Sequence, residues 1–145
     1  DSIETILEKQ KYLRENIRTK KISLSWHDSQ TSMLEAAFAR GDRRLSNVIE
    51  HAWKSGCKFD SWSEYFKFDN WLAAFEKENL SPEFYANRKR DFDEVLPWDH
   101  IDTGVTKKFL IREAQRAYSS ESTKNCRQAC SSCGAASFTG GICNE

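Results

Sequence analysis

Four of the five cysteines in this 145-residue chain fall within its last twenty residues, at Cys126, Cys130, Cys133 and Cys143. Around them the sequence is Ser, Thr, Gly and short polar residues, without an apolar stripe from which a core could be built. Such a segment is expected to order only through a cross-link or a bound metal. A disulfide framework spreads an even number of cysteines through its domain. Here they cluster, and Cys57 is left over far upstream. That pattern points to a reducing, cytoplasmic compartment and to metal ligation. Cys126-x3-Cys130-x2-Cys133 brings thiolates together from a tight turn, and Gly134, Gly140 and Gly141 let the chain fold back to deliver Cys143. Four soft sulfurs suit zinc or an iron–sulfur cluster and exclude magnesium and calcium. The spacing does not choose between the first two.

The remainder reads as mostly α. Ile3, Ile6, Leu7, Leu13 and Ile17 recur at helical spacing, with Asp1 and Glu4 placed as a capping box, so a helix over about residues 2–19 is expected. Ile22-Ser23-Leu24-Ser25-Trp26 alternates apolar and polar and predicts one short β-strand, whose partner the chain does not supply. Ser32 and Glu35 repeat the capping spacing before a stripe that stops at Gly41. Leu45 to Trp53 forms another stripe, ending at Gly56. Seven aromatic residues between Phe59 and Phe75 predict a core band. Ser81-Pro82 marks a helix start, residues 87–105 a loop, and Thr106 the cap of a last helix through Tyr118. The division expected is a mainly helical region over 1–118 and a Cys-rich metal-binding tail over 119–145.

Charge narrows the function. Lys+Arg and Asp+Glu are balanced at 22 each, so a generic polyanion binder is disfavoured. No apolar run reaches membrane-spanning length, so no membrane partner is expected. Arg40, Arg43 and Arg44 surround a helix junction and are candidates for holding a substrate anion. His27 and His100 each lie beside an Asp and near a Trp, and are candidate substrate contacts or proton carriers. Ordinary roles compete with these: solvated arginines in a connection, and histidines in capped turns.

Five segments in order carry a family likeness: Ser25-Trp26-His27-Asp28, Ala39-Arg40-Gly41-Asp42-Arg43-Arg44, Phe59-Asp60-Ser61-Trp62-Ser63-Glu64, Leu96 through Val105, and the cysteine tail. Together they resemble the C-terminal portion of a group of radical SAM iron–sulfur proteins, often preceded by a cobalamin-type domain. The likeness implies a mostly helical extension of a partial (β/α) barrel. It also implies 4Fe-4S and S-adenosylmethionine in the parent protein, and possible cobalamin there. The partner implied is that upstream barrel, within the same polypeptide. The chain begins at Asp1 without a signal pattern, which fits a piece of such a polypeptide.

The spacing C-x3-C-x2-C also occurs at the radical SAM cluster itself. That cluster needs an open iron on a loop after a barrel strand, whereas here the triplet follows a helix and Cys143 is available to close the site. The expected role is therefore an accessory region holding a second metal centre and inactive alone, lacking the SAM-cluster loop. The alternative is a helical RNA- or protein-binding module with a zinc-stabilised tail.

Overall fold

The computed structural model describes residues 1–139. The chain divides into two compact units, with the second beginning at Asp91. The first holds α1 (Ile3–Asn16), α2 (Ser29–Ala39), α3 (Leu45–Lys54), α4 (Phe68–Lys77) and α5 (Pro82–Ala86). The second holds α6 (Lys107–Tyr118) and the single turn α7 (Ala136–Thr139). The described residues are mostly helical and contain no strand.

Local signals set the helix starts. Ser81 accepts from the Phe84 N–H at 3.2 Å with Pro82 in the first turn, and Thr106 accepts from Phe109 at 3.2 Å, both as the spacing predicts. Two caps differ. Ser2, not Asp1, caps α1, accepting from Thr5 at 3.2 Å. α2 begins at Ser29, capped by Asp28, rather than near Ser32. The Asp28 carboxylate accepts both the Thr31 N–H at 2.9 Å and the Thr31 hydroxyl at 3.1 Å. A charged acceptor with two donors outcompetes a serine hydroxyl, and the earlier start buries Ser29.

The expected strand at Ile22–Trp26 is not formed. Among the described residues no backbone runs beside it to exchange hydrogen bonds, and Ile22, Leu24 and Trp26 remain exposed. The Arg14 guanidinium lies 5.2 Å from the Trp26 ring centroid, so this segment rests against α1 through a cation–π contact.

In the first unit α2 packs on α5 and α3 on α4. Their shared core takes Ala37, Val48, Ala52, Trp71, Phe75 and Tyr85 among its members. Phe38 meets Trp71 edge-on at 5.2 Å between ring centroids. The aromatic band divides instead of burying as a whole. Phe66, Phe68, Trp71 and Phe75 join or line the core, whereas Phe59, Trp62 and Tyr65 are 66%, 55% and 53% exposed. Phe59 adopts φ 60°, and Trp62 and Tyr65 close tight turns after it. These turns aim the three rings outward, where Phe59 touches Trp62 and Tyr65 edge-on at 6.1 Å each.

Phe75 is 1% exposed, so Phe75→Ala should cost roughly 3–5 kcal/mol in a denaturant titration. Asp28→Ala, which removes only a cap, should cost about 1 kcal/mol. Because the core lies wholly between Leu34 and Tyr85, ending the chain at Ser119 should leave the helical circular dichroism of the first unit intact.

Candidate metal centre

The second unit is held by polar ties. None of the residues of α6 is buried. Two of its side chains grip the tail: Arg112 donates to the Ser131 carbonyl, and Glu113 accepts from the Thr123 hydroxyl. Arg116 donates to Thr123 at 3.2 Å and to Glu113 at 3.4 Å. At the start of α6 the Thr106 N–H donates to the Cys133 carbonyl at 2.8 Å.

These ties set the cysteines. Cys126 lies in a turn closed by the Gln128 N–H on the Asn125 carbonyl at 2.9 Å and by the Arg127 N–H on the Asn125 side chain at 3.0 Å. The Cys130 sulfur accepts from the Ser132 N–H at 3.4 Å. Cys133 sits between two left-handed residues, Ser132 at φ 51° and Gly134 at φ 103°. A Cβ at Gly134 would come within 2.8 Å of both the Gly104 carbonyl and the Thr106 methyl, so glycine is required where the turn meets this segment. Cys126 and Cys130 are exposed and Cys133 half-buried. Cys143 lies outside the described residues.

Soft thiolates on a glycine-containing turn are the right donors for zinc or an iron–sulfur cluster. Among the described residues, however, no three Cys, His, Asp or Glu side chains gather into a position that could hold a metal ion. The ligand chemistry fits, and among the described residues a converged site is not preformed.

Cys57 is a different kind of cysteine. It is 5% exposed within the core of the first unit, as a small hydrophobe would be. Burial, with Asp60 nearby, pushes its thiol pKa up.

The arginine segment works chiefly as a fastener. Arg40 donates to the Ala86 carbonyl, and Arg90 donates to the Arg40 carbonyl at 3.2 Å, tying α5 to the end of α2. Arg44 pairs with Asp42 at 2.7 Å and lies 5.8 and 5.7 Å from the rings of Phe84 and Tyr85. The Arg44 hydrogen bond holds the Asp42 carboxyl below its ordinary pKa. Arg43 is exposed, and its carbonyl accepts from the Ser46 hydroxyl at 2.9 Å. His27 is exposed, 3.8 Å from Glu35. His100 is exposed beside Asp99, whose carboxylate accepts from the Leu96 N–H and from Lys107, both at 2.9 Å.

Two groupings carried little or no sequence signal. His51 on α3 lies 2.8 Å from Glu78 and 3.2 Å from Lys77, residues brought to it only by the packing of α3 on α4. The other is the set of cations on α6 and the tail. Its one trace in the sequence is the i, i+4 spacing of Arg112 and Arg116.

Comparison with known proteins finds no matching family model, no matching curated protein and no matching solved structure. Among the described residues no helix is long and apolar enough to cross a membrane.

Alkylation near neutral pH followed by peptide mass mapping should label Cys126 and Cys130 well before Cys57. The raised thiol pKa also fixes a sign. Above the ordinary thiol pKa the unfolded chain ionises Cys57 first and so holds fewer protons than the folded one. Its contribution to stability is therefore full below that pKa and falls as pH climbs toward the folded value.

Proposed function

We propose that this chain is the C-terminal accessory region of a radical SAM iron–sulfur enzyme, following its partial (β/α) barrel, and that the cysteine tail holds a second, closed thiolate centre. The observation that carries the reading is the cysteine turn itself. It is tied to α6 by Arg112 and Thr106 while two of its sulfurs stay exposed. Thiols that served packing would be buried as Cys57 is. The family assignment rests on the five ordered segments. Each of them falls largely on turns and connections between helices, where a scaffold presents functional residues.

In this reading radical generation belongs to the upstream barrel, and the region covers or completes it. The metal, zinc or iron–sulfur, would be held by Cys126, Cys130, Cys133 and Cys143. It would supply the cross-link that draws the tail together, in a cytoplasmic setting where the thiols stay reduced. S-adenosylmethionine and its 4Fe-4S cluster, and any cobalamin, would reside in the barrel portion. An RNA-binding role is less well supported: Arg40 and Arg44 are engaged inside the first unit, and the formal net charge is zero.

Anaerobic purification with iron, sulfide and zinc analysis and an absorption spectrum tests the centre. The expected result is a stoichiometric thiolate-bound metal. Serine at any of the four cysteines should lower occupancy by a similar large factor, and added S-adenosylmethionine should leave the spectrum unchanged. A harmless Cys143→Ser together with a spectral response to S-adenosylmethionine would overturn the closed-site reading. The coding sequence upstream is expected to carry a C-x3-C-x2-C barrel loop, and its absence would remove the family assignment.

A further inference from the structure

A cleft of about 290 Å³ lies between α6 and the tail, lined by Arg112, Arg116 and Lys124 together with the hydroxyl residues Ser122, Thr123 and Ser132. Its size is near the lower end of small-ligand pockets, which start at roughly 300 Å³. Three cations meet here. The carboxylate in contact with them is Glu113, 3.4 Å from Arg116 and 3.6 Å from Arg112 Nε, so positive charge is in excess. Among the described residues no carboxylate pairs with the Lys124 ammonium.

The Arg112 side chain is held at the wall of this cleft. Its Nε is buried against the protein and lies 3.6 Å from the Glu113 carboxylate, an ion pair rather than a hydrogen bond. The rest of that guanidinium is fixed in place by its bond to the Ser131 carbonyl. An arginine so held, a second arginine one helical turn on, a lysine and the hydroxyls of Ser122 and Ser132 make this cleft rich in donors. That is the chemistry of a tetrahedral oxyanion site.

We infer that this cleft binds a phosphate group, through Arg112, Arg116 and Lys124, with hydroxyl donors from the tail completing its shell. The groups proposed to recognise the anion are not the proposed metal ligands, although Cys130 borders the cleft. Occupancy ties the tail to α6 by charge-assisted bonds and so orders the segment that carries the cysteines.

The test is a titration of the full chain with inorganic phosphate at low ionic strength, followed by calorimetry and by the amide resonances of residues 122–132. A parallel titration uses a nucleoside monophosphate. Saturable binding is expected, with Arg112→Gln and Lys124→Gln each weakening it about tenfold or more. Lys124 is exposed, so that variant reads binding without a folding defect. Cys126→Ser, at a cysteine outside the cleft lining, should abolish metal retention yet keep saturable phosphate binding, which separates failure of this site from failure of the metal reading. Equal affinity for the two probes would identify free phosphate as sufficient. Tighter binding of the nucleotide would identify a phosphate carried on a larger molecule. No saturable binding of either probe, or unchanged affinity in both the Arg112 and Lys124 variants, would overturn the proposal.

Discussion

Burial of three large rings among small side chains holds the first unit together. Trp71, Phe75 and Tyr85 share one core with Ala37, Ala52 and Ala74, so helices can approach closely while the rings fill the space between them. Its four core helices have 5 to 11 residues, too short to persist alone in water. Their stability is tertiary. The arginine segment serves the same end: Arg40 and Arg44 fasten α5, which brings Tyr85, against the junction of α2 and α3. Gly41 belongs to this packing too, since a Cβ there would fall 2.1 Å from Leu45 Cδ1 in the core.

The second unit follows another rule. With no buried residue on α6, there is little apolar area to drive its tail into place. What holds the tail is a few directed bonds from Arg112, Glu113, Arg116 and Thr106. Contacts of that kind specify geometry better than they supply stability, and segments held this way belong to the low-stability end of a protein. A ligand that binds only the ordered tail then has large leverage on it. This is a physical reason for a cysteine cluster and a cationic cleft to occur in the same thirty or so residues.

What the sequence disclosed divides along the same line. Caps at Ser81 and Thr106 and the stop at Gly56 rest on interactions between residues a few positions apart, and they were legible. The start of α2 was not. It depends on how two donors of Thr31 meet Asp28 and on burial of Ser29, which follows from packing. The alternation at Ile22–Trp26 expressed a capacity for pairing that no neighbouring backbone met. Phe59, Trp62 and Tyr65 looked like core because composition gives hydrophobicity without direction, and φ 60° at Phe59 sets the direction. In the tail, cysteine spacing was visible, whereas the bond from Arg112 to Ser131 spans nineteen positions and leaves no periodic trace.

The two readings of the tail also constrain each other. Cys130 lines the same cleft as Arg112, Arg116 and Lys124. A divalent metal bound by four thiolates would carry a net charge of about −2, and the cleft bordered by Cys130 holds an excess of positive charge. A phosphate group seeks those same cations. A metal centre and an anion bound as proposed would therefore act on one set of charges through one short segment, and linkage would make any coupling reciprocal. Electrostatics alone would set them in competition, because each neutralises the field the other needs. Ordering of the tail works the other way, since whichever binds first has already offset the entropy of fixing the turn. The cleft is open to water, which screens charge, while the loss of chain freedom is not screened at all. An anion bound as inferred would hold the tail against α6, and the thiolates proposed as ligands would then close on a metal from an already fixed turn, so ordering of the tail favours cooperation between them.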